Sequence, residues 1–436
     1  MDRRVFLVLL LAGCADPSPD VLPPVALPGP SSTPQPSQTA PSPATSGDLS
    51  FDQWSREFYG RAIQAGLPPV LLDRELAGLT PSPRVVQLDS RQPEFSKPVG
   101  DYIQGAVSAD RVAGGQRRRA ELAFLPDLEQ RYGVPRDILL AIWAMESNFG
   151  VQQGDFDVVR AMATLAAHGR RRAFAEGELI AALRIIGSGE RSRDKLIGSW
   201  AGAMGQTQFI PSSFLSTAVD GDGDGRRDIW GSSADALASA ANLLVKGGWV
   251  PGQSWAREVT APPGFDYSLT EGPRETPDWW GQLGVRRADG LPWSAADLPA
   301  KAGLIAPAGA NGPLFLVFPN HFAIRKYNNS TSYALAVGIL ADRFGGMGPL
   351  VASWPAEAPM SLADRIAAQQ ALAKIGFDPG QPDGVIGVNT RSALRSWQKA
   401  RGLAADGYLS ADMVARLRAE AGLAAPPVAT PAAPTS

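Results

Sequence analysis

The residue of this chain best placed to do chemistry is a lone carboxylic acid on the apolar side of a helix. In the run Tyr132-Gly133-Val134-Pro135-Arg136-Asp137-Ile138-Leu139-Leu140-Ala141-Ile142-Trp143-Ala144-Met145-Glu146-Ser147-Asn148-Phe149-Gly150, Pro135 suits a first helical turn and Gly150 a C-terminal stop. The spacing predicts a helix from about Pro135 to Ser147. Ile138, Ile142 and Glu146 then recur four apart on one face, with Leu139 and Trp143 beside them. A carboxyl group in that position loses hydration and meets the negative end of the helix dipole, and both effects raise its pKa. An acid still protonated near neutral pH can hand a proton to a leaving oxygen. Spacing alone leaves a second reading open, a glutamate that pairs with an arginine or reaches the surface.

Three further runs carry polar groups in useful patterns. Ser199-Trp200-Ala201-Gly202-Ala203-Met204-Gly205-Gln206-Thr207-Gln208-Phe209-Ile210-Pro211-Ser212-Ser213 sets small residues around Met204, and Ser199 and Gln208 offer the uncharged hydrogen bonds that sugars require. It reads either as the lining of a cleft or as a tightly packed loop. Asp220-Gly221-Asp222-Gly223-Asp224-Gly225-Arg226-Arg227-Asp228 follows the first nine positions of a calcium loop, with acids at positions 1, 3, 5 and 9, Gly at 6 and Arg226 at 7. Position 12 is Gly231 where a bidentate Glu should stand, and Asp235 is the later acid that can replace it. Without a cation these carboxylates repel one another, which favours a bound ion of structural rather than catalytic use over a solvated acidic turn. Tyr327-Asn328-Asn329-Ser330-Thr331-Ser332-Tyr333-Ala334 precedes an apolar helix, Ala334 to Leu340. Helix capping accounts for one or two of its polar residues and leaves Tyr327 and Asn328 without a role.

The elements that position these groups are mainly helical. Helical spacing begins with Phe51, Trp54, Phe58 and Ile63 and recurs to Phe344, so residues 48–354 read as one large α+β unit. Between Gly252 and Pro313 the texture turns to Pro, Gly and Trp, an irregular subdomain with short strands such as Leu314 to Phe318. Residues 355–361 form a linker. Residues 362–420 make a small three-helix module with an internal echo, Asp383-Gly384-Val385-Ile386 and then Asp406-Gly407-Tyr408-Leu409. Residues 421–436, rich in Ala and Pro, read as a disordered tail.

The N-terminus reads as an export signal. A charged start and the short apolar run Val5 to Leu11 lead into Leu11-Ala12-Gly13-Cys14, a lipoprotein processing box over residues 1–14 that makes Cys14 the lipid-bearing residue. Ten prolines between Asp16 and Gly47 make residues 15–47 a disordered tether, which at ~3.1 Å per residue reaches up to about 100 Å. The expected location is the periplasmic face of a membrane, the outer one of a Gram-negative cell.

Composition excludes several classes. Lys plus Arg number 41 and Asp plus Glu 43, so no global field favours nucleic acid. The two histidines, His168 and His321, lie far apart and outside zinc-ligand or Ser-His-Asp spacing, and one cysteine excludes an internal disulfide framework. No cofactor is needed for the chemistry, and a monomer is expected.

Together the motifs resemble the membrane-bound lytic murein transglycosylase B family. Glu146 to Gly150, Ala201 to Ser213 and Tyr327 to Ser330 stand in that family's order, and the resemblance covers Phe51 to about Trp354. It implies a lysozyme-like fold with a cleft for alternating N-acetylglucosamine and N-acetylmuramic acid. It also implies a reaction in which one Glu protonates the glycosidic oxygen and then acts as base on the muramoyl C6 hydroxyl, leaving a 1,6-anhydro sugar. By motif matching, Ser199, Met204, Gln208, Tyr327 and Asn328 bind the substrate, and Asp220, Asp222, Asp224, Arg226, Asp228 and Asp235 fall at the calcium loop. Gly384-x-x-Gly387-x-x-Thr390-x-x-Ala393-x-x-x-Trp397-Gln398 is similar to a peptidoglycan-binding module. Two rivals stand beside this reading: a hydrolytic muramidase, and a wall-binding lipoprotein without activity.

Overall fold

The computed structural model describes residues 46–90 and 97–423. Cys14, the signal segment, nearly all of the tether and the C-terminal tail lie outside the described residues. Seventeen α-helices are formed among the described residues, and none is long and apolar enough to cross a membrane. The described residues divide into two compact units, one of residues 46–90 and 153–216, the other of 97–152 and 217–423. Periodicity reports which face of a helix is buried, not which partner buries it, so this division is invisible in the pattern.

In the first unit, Asp48 starts the helix Leu49–Gln64 by accepting the backbone amides of Ser50 and Phe51 at 3.0 Å each. Phe51, Trp54 and Phe58 are buried as their spacing predicts, but the stripe continues to Ala62, and Ile63 points outward. His168, at the end of the helix Val158–His168, pairs with Asp48 at 3.0 Å. A two-stranded ribbon, Phe156–Asp157 against Ile197–Gly198, leads into the Ser199 loop.

The second unit is built on two helices, Arg136–Ser147 and Thr331–Phe344, that share one apolar core. Leu139, Leu140, Ile142, Leu335, Val337 and Leu340 are fully buried there. Pro135 caps the first helix, as its fixed φ allows, and Ser330 caps the second by accepting the amide of Tyr333. The second helix begins three residues earlier and ends four later than the apolar run suggests. Gly338 on it leaves room for the Trp255 ring, which a Cβ would meet at 2.2 Å.

The irregular stretch forms a five-stranded antiparallel sheet. Its order is Arg274–Glu275, Ala302–Ile305, Leu314–Val317, Ala256–Thr260, Arg286–Arg287. Trp280 is wholly buried beside it and donates its indole N–H to the Ala302 carbonyl. His321 is buried and held neutral, its pKa pushed down to about 3 by burial and the charges of Arg325 and Arg274.

The C-terminal module packs helices Leu362–Lys374, Val388–Ala400 and Ala411–Glu420 around Leu372, Leu394, Trp397 and Leu417. The sequence echo is structural. Gln369 accepts the amide of Gly384 at 2.7 Å while donating to Asp383, and Gln398 accepts the amide of Gly407 at 2.8 Å while donating to Asp406. Both turn glycines sit at positive φ, 78° and 69°, where a side chain would be strained. The second turn has an added duty, since Asp406 also accepts the backbone amide of Ala310 at 2.8 Å.

Candidate active site

Glu146 lies in the last turn of the helix Arg136–Ser147. The residue is half-buried, but its carboxyl group is enclosed by protein, and the loss of hydration pushes its pKa up to about 8. A hydrogen bond opposes that rise: the Tyr333 hydroxyl donates to Glu146 Oε1 at 2.5 Å. No other carboxylate among the described residues contributes to the shift, so the group behaves as an isolated acid.

Two tyrosines complete the surroundings. Tyr333 is buried with its own pKa raised, first by burial and then by the Glu146 charge. Tyr102 is pushed up to about 12, again by burial and then by Glu146. Both therefore stay protonated and keep a hydroxyl proton to donate. Sequence reasoning missed both. Tyr333 carried a usable signal, because a tyrosine inside an apolar helix face must find a partner for its hydroxyl. Tyr102 carried none beyond its residue type.

The helix ends at Ser147 as expected, but the left-handed turn that stops it begins before Gly150. Asn148 takes the left-handed conformation directly after Ser147, Phe149 follows at φ 59°, and Gly150 comes third. Among the described residues only Asn148, Phe149 and Gln208 are non-glycine positions with positive φ. All three belong to runs singled out for chemistry, and strained backbone of this kind collects at functional sites.

Tyr327 ends the helix Pro319–Tyr327 and lies near Tyr333. Asn328 caps that helix and is 3% exposed, with a side-chain oxygen that has no partner. A buried amide oxygen left without a donor costs about 1–3 kcal/mol, and a ligand hydroxyl would relieve it.

The Ser199 loop belongs to the first unit. Ser199 Oγ accepts the amide of Ala203 at 3.0 Å. Gln208 donates its amide nitrogen to the Gly205 carbonyl at 2.8 Å and to that of Gln153 at 3.3 Å, which leaves its side-chain oxygen as an acceptor. Met204, expected to touch substrate, is fully buried and pairs with Phe209 through both backbone groups at 2.8 and 2.9 Å. Its place is inside the loop. The small residues here serve packing, since a Cβ on Gly198 would meet the Ala203 carbonyl at 2.3 Å and one on Gly202 the Met162 sulfur at 2.7 Å.

At the acidic loop, Asp220, Asp222, Asp224 and Asp235 each bring a carboxylate oxygen within 4.8 Å of the others. A hard divalent cation fits that donor set. Asp235 is the acid that joins the three loop aspartates; burial raises its pKa, against the backbone amides of Gly221 and Asp228 that it accepts. Asp228 is not part of the cluster. Its Oδ1 accepts the amides of Trp230 at 3.1 Å and Gly231 at 3.0 Å, closing a turn. Arg226 has no carboxylate to add and stands at position 7, where only its backbone carbonyl would serve.

The family model described as "Transglycosylase SLT domain" matches residues 50–342, well over half of the chain. The chain belongs to that family. A second model, "Putative peptidoglycan binding domain", matches residues 361–417 of this transglycosylase SLT family member. Membrane-bound lytic murein transglycosylase B of Escherichia coli (strain K12) is 33% identical to it over 217 residues, 48% of this chain and 56% of that protein. The chain thus spans little more than half the length of that curated relative. Among solved structures, SltB3 from Pseudomonas aeruginosa in complex with NAG-anhNAM-pentapeptide is 48% identical with a TM-score of 0.81, covering 85% of this chain and 100% of that one. The Escherichia coli lytic transglycosylase Slt35 in complex with calcium is 28% identical with a TM-score of 0.57, covering 67% and 92%. The mainly helical, lysozyme-like class expected for this family member is thereby shown.

Proposed function

We propose that the chain is a lytic transglycosylase that cuts the β-1,4 bond between N-acetylmuramic acid and N-acetylglucosamine in peptidoglycan. The observation that carries this is Glu146, an enclosed carboxyl group raised to about 8, held by one tyrosine and lacking a carboxylate partner. Protonated Glu146 gives its proton to the glycosidic oxygen as the bond to muramoyl C1 breaks. The resulting carboxylate then removes the C6 hydroxyl proton, O6 bonds to C1, and the acid is regenerated without water entering. A hydrolase of the usual two-carboxylate design needs a second acid as nucleophile or base. The relatives support the substrate, since one is named for murein and another was solved with an anhydro muramoyl peptide fragment.

Asn328 and Tyr327 are proposed to bind the sugar beside Glu146, and Ser199 and Gln208 to offer sugar-binding groups on their own loop. Met204 shapes that loop. A calcium ion on Asp220, Asp222, Asp224 and Asp235 is proposed to contribute stability and no chemistry, a reading supported by the relative solved with calcium. The module at 362–420 is proposed to hold the enzyme on the wall, and Cys14 to carry a lipid that keeps it in the periplasm, at the outer membrane, as a monomer. Mass spectrometry of purified wall after digestion tests the reaction: anhydromuramoyl ends are expected, reducing ends would establish a muramidase, and uncut strands would leave a wall-binding protein.

A further inference from the structure

The helices that carry Glu146 and Tyr333 have a second feature at their other ends. A cavity of about 330 Å³ opens where the first turn of the helix Arg136–Ser147 meets the last turn of Thr331–Phe344. At a rise of ~1.5 Å per residue, Asp342 lies about 14 Å along its helix from Tyr333. The cavity is therefore separate from the catalytic acid. Its size is at the lower end for small-ligand sites, roughly 300–1,000 Å³.

Its walls combine an apolar part with an unmatched acid and base. Ile138, Trp249, Trp255 and Met347 supply the apolar surface. Asp342 and Arg257 line the same space, and the Arg257 charge acts on Asp342, yet they form no ion pair with each other or with any other described residue. Among the described residues, the only hydrogen bond of the Asp342 carboxyl is from the Trp255 indole at 3.1 Å. Burial outweighs the help from Arg257 and lifts the Asp342 pKa to about 6. Arg257 is also under-used, for its Nε is shielded from solvent without a partner, and its one hydrogen bond goes to the neighbouring Ala256 carbonyl. Asp137 on the same wall is already engaged by Arg119 at 2.8 Å. An acid and a base that line one largely apolar cavity without pairing make an arrangement that costs stability unless something bridges them.

We propose that this cavity binds a free α-amino acid with an apolar side chain, its ammonium on Asp342, its carboxylate on Arg257 and its side chain among Trp249, Ile138 and Met347. The adjacent opposite charges of a zwitterion suit a neighbouring acid and base better than any singly charged ligand does.

Isothermal titration of the full chain with L-leucine and with D-leucine tests this directly, and saturable heat from either enantiomer is expected. N-acetyl-leucine, which lacks the ammonium, and leucinamide, which lacks the carboxylate, should each bind at least tenfold more weakly. Asp342→Asn should weaken leucine binding by a similar factor. Met347→Trp, at a half-exposed position on the rim, should do the same by filling the mouth, and it carries the test if the buried variant does not fold. Absence of heat with both enantiomers, equal binding of the blocked forms, or undiminished binding by a folded variant would overturn the proposal. The readout is heat of binding, so it stands or falls independently of the reaction at Glu146.

Discussion

Tyr333 and Glu146, 187 residues apart in sequence, meet in a hydrogen bond of 2.5 Å that ties the start of one core helix to the end of the other. The bond sets two properties of the acid at once. It fixes the carboxyl group in place, and by favouring the anion it keeps burial from raising the pKa further. The acid is thus protonated at neutral pH but can still lose its proton, as a group that must act as acid and base in turn requires.

Replacing Glu146 by Gln should abolish glycan cleavage while the fold and wall binding persist. The variant also has a stability signature. The folded pKa of Glu146 is raised from 4.5 to about 8, so its favourable contribution is complete below about pH 4.5 and is lost as pH rises toward 8. Relative to wild type, Glu146→Gln should therefore become more stable across that window, by on the order of a few kcal/mol. Melting curves at pH 5 and pH 9 check the sign; a difference that is flat with pH contradicts the buried acid.

Tyr333→Phe removes the hydroxyl that favours the anion, so the Glu146 pKa should climb and the alkaline limb of the pH–rate profile should move to higher pH. Loss of orientation should lower turnover by about 10- to 100-fold. A profile that keeps its alkaline limb would show that the tyrosine is only a packing residue.

How much of this was readable in the sequence varied with how local each cause is. The helix bearing Glu146, its Pro135 start, the strand at Leu314 and the paired Asp-Gly turns all follow from neighbours in the chain, and each is found within a few residues of its expected place. The Tyr333 contact was not readable, because it depends on two helices meeting, and the division into two units was hidden for the same reason. Met204 was misplaced because glycines around a residue signal close approach without telling a ligand from the protein's own backbone. Asp228 lies outside the carboxylate cluster because position in a loop motif is a count along the chain, whereas the turn it closes at Trp230 and Gly231 depends on the local backbone.

Chelation of calcium should lower the melting temperature. With four carboxylates converging on one point, the loss of an ion present at about 100 times its Kd costs ~2.7 kcal/mol. Turnover at a temperature where the chain stays folded should be unaffected. Asp220→Asn combined with Asp222→Asn should reproduce the lower melting point and remove its dependence on calcium; a melting point indifferent to both would dismiss the site.

Gly338→Ala tests the packing that seats Trp255. A methyl group there meets the rigid indole at 2.2 Å, and the ring cannot retreat without giving up its bond to Asp342. Overpacking of this kind costs typically ~1–3 kcal/mol, well beyond the small gain an alanine brings to a helix interior. A denaturant midpoint equal to or above wild type would show that the indole moves freely.

The two Asp-Gly turns of the module are not equivalent. Asp383 serves its own turn alone, whereas Asp406 also holds the Ala310 amide, and Tyr408 donates to Glu357 at 2.6 Å. Gly309 permits this approach, since a Cβ there would meet the Asp406 carboxylate at 2.5 Å and Tyr408 at 2.8 Å. Asp406→Ala should leave the Ala310 amide without its acceptor and cost about 1–3 kcal/mol at that contact. Because Asp406 also supports its own turn, Gly309→Ala provides the cleaner comparison: it disturbs the same contact from the other side and leaves the module's residues intact. Both variants should be cut faster by protease within residues 355–361, while Asp383→Ala should not share that increase. Equal protection in all three would mean that the Asp406 contact does not hold the module in place.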